Sequence, residues 1–251
     1  MKTIALASLF LAPFVFGCSS SSSNDSSFHS SNIATSEMVP SFSVQSGDSN
    51  VKVFAALFKK NDDNDNSSLV TLDDGDSFVA TPDGGTPVTL THGPNDDDAH
   101  YSATLPLATA AENITIAFVR GNGQVSAPNT VVPLAAPFAM TSTSPDTVKK
   151  GDMIPFTLAP VPSLKSSDIQ FEIFGPCVDD SDTTLPTPVV DVDGNGSFDT
   201  NKLPLKGSTT CQVQLYVDAL TTGTTDAAFK GGSANAVPCE QRRAITRTIT
   251  P

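Results

Sequence analysis

Tryptophan is absent from this 251-residue chain, and tyrosine occurs twice. Sugar-binding sites commonly stack rings on aromatic faces, so this scarcity counts against a carbohydrate platform. Histidine is nearly as rare. His29, His92 and His100 are too few for a metal cluster or a proton-transfer relay. The chain has no H-E-x-x-H helix, no G-x-S-x-G elbow and no phosphate-cradling glycine loop leading into a helix. It therefore reads as non-enzymatic, with no catalytic residue, resident metal or cofactor to name. Positive charge is also short: 14 Lys and Arg face 27 Asp and Glu, a formal net charge of −13. Such a surface repels nucleic acid and anionic lipid, which excludes DNA binding. Long helices are disfavoured as well, because Glu, Arg and Met are scarce and no apolar stripe of helical period persists beyond about three turns.

What is present favours strands. Thr, Ser, Asp, Val, Pro and Gly dominate, a mix suited to short strands joined by turns, so the expected fold class is all-β. Val51–Phe58 is apolar on both parities, as a strand buried on both faces would be. Leu69–Leu72 and Ser77–Thr81 flank Asp74-Gly75, a hairpin signal. Pro82-Asp83-Gly84-Gly85 turns the chain into Val88–Thr91, and Tyr101–Leu107, Ile114–Arg120 and Val125–Val132 complete a first unit, 37–136. Within it Ile114, Ile116 and Phe118 share one parity. A short apolar joint, Leu134-Ala135-Ala136-Pro137, leads into a second unit, 137–251. Its strands are expected at Phe138–Ser142, Met153–Leu158, Ile169–Phe174, Val189–Val192, Gly196–Asp199, Cys211–Ala219 and Arg243–Thr250. Ile169, Phe171 and Ile173 alternate with polar neighbours, as do Val213, Leu215 and Val217, the pattern of half-buried antiparallel strands.

About seven strands per unit, at this rhythm, resemble the immunoglobulin-like sandwich. Asp97-Asp98-Ala99-His100-Tyr101 resembles the D-x-A-x-Y run at the tyrosine corner of that fold, with Ala103 where antibody domains carry their second cysteine. The resemblance implies two immunoglobulin-like antiparallel β-sandwiches in series. The acidic runs Asn61–Asn66 and Asp96–Asp98 read as solvated loop tips.

The N-terminus reads as an address. Lys2 supplies a positive start, and Ile4–Phe16 is an apolar run of 13 residues, too short for the roughly 20 that span a bilayer and suited to a secretory h-region. It ends in Val15-Phe16-Gly17-Cys18, which resembles the lipobox of bacterial lipoproteins. Val15 and Gly17 fit that pattern, while Phe16 is bulkier than the usual small residue. The resemblance implies cleavage after Gly17, a diacylglyceryl group on the Cys18 sulfur and acylation of the new amino group. Several acyl chains hold far better than one. Ser19 after the cysteine is compatible with export to the outer membrane. Residues 18–36, rich in serine, are expected to form a flexible tether. The mature chain as a whole resembles exported bacterial lipoproteins with tandem immunoglobulin-like domains.

Three cysteines follow the anchor, so one is left over from any disulfide. Cys177 continues the inward set of Ile169, Phe171 and Ile173, and Cys211 begins that of Val213, Leu215 and Val217. Parity thus favours Cys177–Cys211 with Cys239 unpaired; Cys211–Cys239 remains the rival. The sharpest motif is Asp191-Val192-Asp193-Gly194-Asn195-Gly196-Ser197-Phe198-Asp199. It resembles the start of a calcium loop, with oxygen side chains at positions 1, 3 and 5 and glycine at 6. Position 12 is Lys202, a cation where a bidentate carboxylate belongs, so a tight turn between strands is the favoured reading and no metal site is assigned. The expected role is that of an exported, outer-membrane-anchored protein with a structural or interaction function. A membrane is engaged through Cys18, together with an unidentified protein or polymer partner. The alternative is a ligand-binding module for carbohydrate or polymer, with a weak calcium loop at Asp191–Asp199.

Overall fold

The computed structural model describes residues 28–251 except 48–49, 61–66, 74, 94–99, 107–112, 122, 163–167, 179–182, 186–187, 189, 208–209 and 233–234. Cys18 and its leader, both acidic runs and the Asp97-Asp98-Ala99 part of the tyrosine motif lie outside the described residues. In chain order the strands are β1 (Phe28–His29), β2 (Met38–Ser46), β3 (Asn50–Lys60), β4 (Ser67–Thr71), β5 (Ser77–Pro82), β6 (Val88–Thr89), β7 (Thr91–His92), β8 (Tyr101–Pro106) and β9 (Asn113–Val119). There follow β10 (Ala127–Pro133), β11 (Ala139–Thr141), β12 (Thr147–Lys149), β13 (Met153–Ala159), β14 (Ile169–Phe174), β15 (Asn195–Asp199), β16 (Cys211–Thr224) and β17 (Ala236–Thr250). The other regular elements among the described residues are short 3₁₀ turns, including Ser30–Asn32, Thr35–Glu37 and Thr200–Lys202. The chain is all-β and sandwich-like.

Two apolar cores form, each between facing layers. In the first, Phe42 of β2 meets Phe78 of β5 edge-on at 5.7 Å, and Phe78 meets Tyr101 of β8 at 5.6 Å. Ile114, Ile116 and Phe118 all point inward from β9, as their shared parity requires. In the second, β11, β13 and β15 make a three-stranded sheet. Phe156 and Phe198 from that sheet each lie 5.8 Å from Phe171 of β14. The chain joint divides between the cores: Leu134 packs on the first and Ala135 on the second.

The β16–β17 hairpin serves both cores. It is paired from Cys211↔Ile249 to Thr224↔Ala236. Near its base, β14 lies beside β16, and β12 runs parallel to β17. Near its tip, β2 runs parallel to β17 at Cys239–Gln241, and β10 meets β16 at Thr224. Val237 and Cys239 are buried in the first core, while Ile245 and Ile249 are buried in the second. Phe229, from the loop at the hairpin tip, stacks on Phe118 at 5.9 Å. At Gly223 the backbone of β16 lies close against β10: a Cβ there would sit 2.5 Å from the Val131 carbonyl oxygen, a contact that only glycine permits.

Several elements differ from the sequence expectation. β4 and β5 do not pair: β4 lies between β1 and β3, and β5 between β9 and β6. Asp73 and Asp76, which border the expected turn, are engaged elsewhere, as described below. Residues 190–192 form no strand, since Asp191 closes a turn on Asn195. Arg243–Thr250 is only the second half of β17. Pro238 hid its first half, but it precedes Cys239, where β2 joins, so its missing donor falls at a strand edge. Residues 28–36, read as part of the tether, are ordered: Ser30, Ile33 and Thr35 are buried.

Candidate functional site

The point where the chain enters the fold is built around one buried cation. Arg120 follows β9 and lies over the Phe118 ring at 5.3 Å. Its Nη1 donates to the Ile33 carbonyl at 3.1 Å and to Thr35 Oγ1 at 3.0 Å, and its Nη2 donates to the Ser30 carbonyl at 2.6 Å. Its Nε lies 2.9 Å from Asp76 Oδ2, with the two side chains 1% and 6% exposed. That approach is ionic, because neither atom has hydrogen-bond alignment with a partner. Asp76 also accepts the Gly121 N–H at 2.7 Å. A charge this deeply buried is tolerable only when paired and hydrogen-bonded, as here.

The rest of this N-terminal strap is held by Asp73. Its carboxylate accepts the Ser31 N–H at 2.8 Å and contacts His29 Nδ1 at 2.9 Å. Asp73 N donates in return to Ser30 Oγ at 2.9 Å. Hydrogen bonds from Ser31 hold the Asp73 carboxyl below the usual aspartate value. Gln124 Nε2 donates to the Ser31 carbonyl, and Thr35 Oγ1 to the Val125 carbonyl. Phe28, ten residues after Cys18, begins this strap. Only a lone arginine closing the apolar run of β9 marked the clamp in the sequence, and its partners, drawn from segments 44 to 90 residues away, could not be read locally.

Cys177 and Cys211 form a disulfide, with Cα atoms 6.1 Å apart. Cys211 enters the second core from β16, while Cys177 sits within a turn closed by Val178 N–H to the Gly175 carbonyl. Cys239 is a free thiol, 1% exposed in the first core, and burial pushes its pKa up to about 11. The rival Cys211–Cys239 pairing is geometrically remote. Cys211 pairs with Ile249 and Thr221 with Cys239, so the two thiols stand about 33 Å apart along the hairpin. A cavity of about 70 Å³ beside the disulfide is lined by Lys150, Leu205, Lys206 and Ile249. It is far smaller than the roughly 300–1,000 Å³ typical of ligand sites.

The Asp191–Asp199 motif closes on itself. Asp191 Oδ1 accepts the N–H groups of Asp193 at 2.9 Å and Asn195 at 2.8 Å, and Asn195 Nδ2 reaches Oδ2 at 3.2 Å. These bonds, chiefly from Asn195, lower the Asp191 pKa. Asp199 caps the next 3₁₀ turn through Asn201 N–H at 3.0 Å, and Lys202 Nζ lies 3.7 Å from its carboxylate. The oxygens at positions 1 and 9 thus face the protein's own donors rather than a shared ligand cavity. Gly194 takes φ +82° here, with the Leu158 carbonyl oxygen 2.3 Å from any Cβ added to it. Among the described residues, no three His, Cys, Asp or Glu side chains group as metal ligands.

Tyr101 does not form the expected corner. Its hydroxyl accepts the N–H of Leu72, 29 residues upstream at the end of β4, and its ring meets His92 at 5.3 Å. Ala103 instead pairs with Val53 across β8 and β3. His100 lies just before β8, where its carbonyl accepts the Gly93 N–H at 3.1 Å.

No family model matches the chain. No curated protein matches it either. Among solved structures it is similar to the crystal structure of a mutant Salmonella alpha-2-macroglobulin. The identity is 14%, covering 87% of this chain and 15% of that one, with a TM-score of 0.26. A similarity of that degree supports no conclusion about fold or function.

Proposed function

We propose that this chain is a lipid-anchored, non-catalytic protein of the bacterial cell envelope, carried at the outer membrane by acylated Cys18 and acting as a structural or interaction element. Its body consists of two immunoglobulin-like sandwiches in series. The observation that carries this reading is the Arg120 clamp. It fixes Ser30, Ile33 and Thr35, the first buried residues among those described, to the first core by buried charge-assisted bonds. Tension applied at an N-terminal anchor would therefore pass into the β-layers instead of peeling the strap. The acidic composition favours solubility at a crowded surface, and the disulfide suits an oxidising compartment.

A carbohydrate platform is not favoured. The large exposed apolar side chains among the described residues are Val119, Val125, Val131, Met153, Val161 and Val192, none of them aromatic. The test of the anchored reading is Cys18→Ser followed by cell fractionation and intact-mass measurement. The variant is expected in the soluble fraction, without the acyl mass. Persistence at the membrane with unchanged mass overturns the reading.

A further inference from the structure

The β16–β17 hairpin changes partners near Asp218 and Glu240, and an ionic cluster covers one face of it there. Asp218 pairs in register with Arg242, and Leu220 with Glu240. β14 ends its pairing with β16 at Ala219, and β2 takes up β17 at Cys239–Gln241. Three carboxylates converge on one guanidinium. Arg242 Nε donates to Asp218 Oδ1 at 2.8 Å, while Nη2 donates to Asp218 Oδ2 at 3.0 Å and to Glu172 Oε2 at 2.6 Å. Glu240 Oε1 lies 2.6 Å from the same Nε. The Tyr216 and Phe174 rings hold the guanidinium from the side, at 4.6 and 5.6 Å.

The stereochemistry leaves Glu240 without a donor from Arg242 Nε. A guanidinium Nε carries a single hydrogen, and Asp218 has it. Asp218 Oδ1 and Glu240 Oε1 thus crowd one nitrogen, at 2.8 and 2.6 Å, from side chains only 2% and 16% exposed. One N–H cannot satisfy both oxygens, and the neighbouring Asp218 charge disfavours ionisation of the second carboxyl. On the other side of β17, Gln45 of β2 is the register partner of Glu240, and its Oε1 is a buried acceptor without a hydrogen-bond partner. The charged groups around Glu240 are Arg242 on its own strand, Asp218 with the Tyr216 phenol on β16, Glu172 on β14 and, one strand beyond Gln45, Lys52 on β3.

We propose that Glu240 is carried as a neutral acid whose proton bridges to Asp218, and that loss of this proton loosens the seam where the hairpin passes from one core to the other. The seam is then a pH-sensitive element that is tight when acidic and looser when alkaline. Burial, followed by the Asp218 charge, pushes the Glu240 carboxyl up to about 7, and burial also raises Glu172. The opposite face of the strand carries Arg243 and Gln241. Arg243 Nε there donates to the Phe138 carbonyl at 2.7 Å, beside the buried Gln241.

The experiment follows the Glu240 side-chain carboxyl carbon by NMR in the full-length chain between about pH 3 and about pH 9, with amide protection at Leu220, Thr221 and Gln241. The expected midpoint is near neutrality. Protection at these amides should fall about tenfold above it, with β13 and β15 unaffected, and Glu240→Gln should abolish the pH dependence. A midpoint in the ordinary glutamate range near pH 4.5 overturns the proposal. So does loosening that persists unchanged in Glu240→Gln. The wild-type titration decides the matter even if the variant folds poorly.

Discussion

Replacing Arg120 by methionine preserves much of the side-chain length and its packing on Phe118, but removes the charge that the strap is built on. Three donated bonds, to Ser30, Ile33 and Thr35, disappear together. Asp76 is left 6% exposed without its cation. Breaking a buried pair from one side costs about 3–5 kcal/mol, because the surviving charge stays desolvated. Asp76→Asn is the milder change. The amide still accepts the Gly121 N–H, and Arg120 keeps its three oxygen acceptors, so about 1–3 kcal/mol is expected. The double variant should destabilise by less than the sum of the singles, since each removes the other's stranded partner. Urea denaturation gives the three free energies, and limited proteolysis near residues 28–36 reports whether the strap has come away. If Arg120→Met cost under about 1 kcal/mol, or less than Asp76→Asn, the clamp would not be what holds the strap.

Removing the disulfide with Cys177→Ser and Cys211→Ser should cost about 3–4 kcal/mol in a urea melt, the loop-closure value for cysteines 34 residues apart. Cys239, with its thiol at about 11 and 1% exposed, should resist a thiol reagent at neutral pH until the protein unfolds; rapid labelling of native protein would contradict the burial. Asp191→Ala should lower the melting temperature slightly through loss of the turn's own hydrogen bonds, and excess calcium should leave the wild-type melting temperature where a chelator leaves it. Glu240 contributes an inverted pH dependence. The folded state holds its proton more tightly than the unfolded chain does, so stability should fall as pH rises from 4.5 to about 7, by about 3 kcal/mol in wild type and by little in Glu240→Gln.

Strands whose side chains alternate over a few residues were legible, because parity is a local property. β9, β14 and most of β16 follow from Ile114, Phe171 and Val213 with their i+2 neighbours. β2 was not: Pro40 and its serines blurred an alternation that nevertheless buries Met38, Phe42 and Val44. The Asp74-Gly75 hairpin failed for a non-local reason. Asp73 and Asp76 carry that turn's polarity, and they bind Ser31 and Arg120, 42 and 44 residues away. The parity that placed Cys177 and Cys211 in one core is the legible part of the disulfide. Competition for Arg242 Nε is invisible without the register that sets Asp218 opposite it.

The hairpin also changes how the two cores depend on each other. Along β17 the odd-numbered residues stay on the inner side from Val237 to Ile249 without a break. The same parity therefore serves the first core through Cys239 and the second through Ile245, with Gln241 and Arg243 buried between them. A flexible joint would need this alternation to be interrupted by a turn or a run of exposed residues, yet every rung from Cys211 to Thr224 is paired. A swing of one core against the other must break β2–β17 pairing at Cys239–Gln241 or bend the hairpin at Asp218. Because that bend would separate Arg242 from its carboxylates, and the phenylalanine at the tip, Phe229, is already committed to the first core, the two cores should unfold in one cooperative transition rather than two.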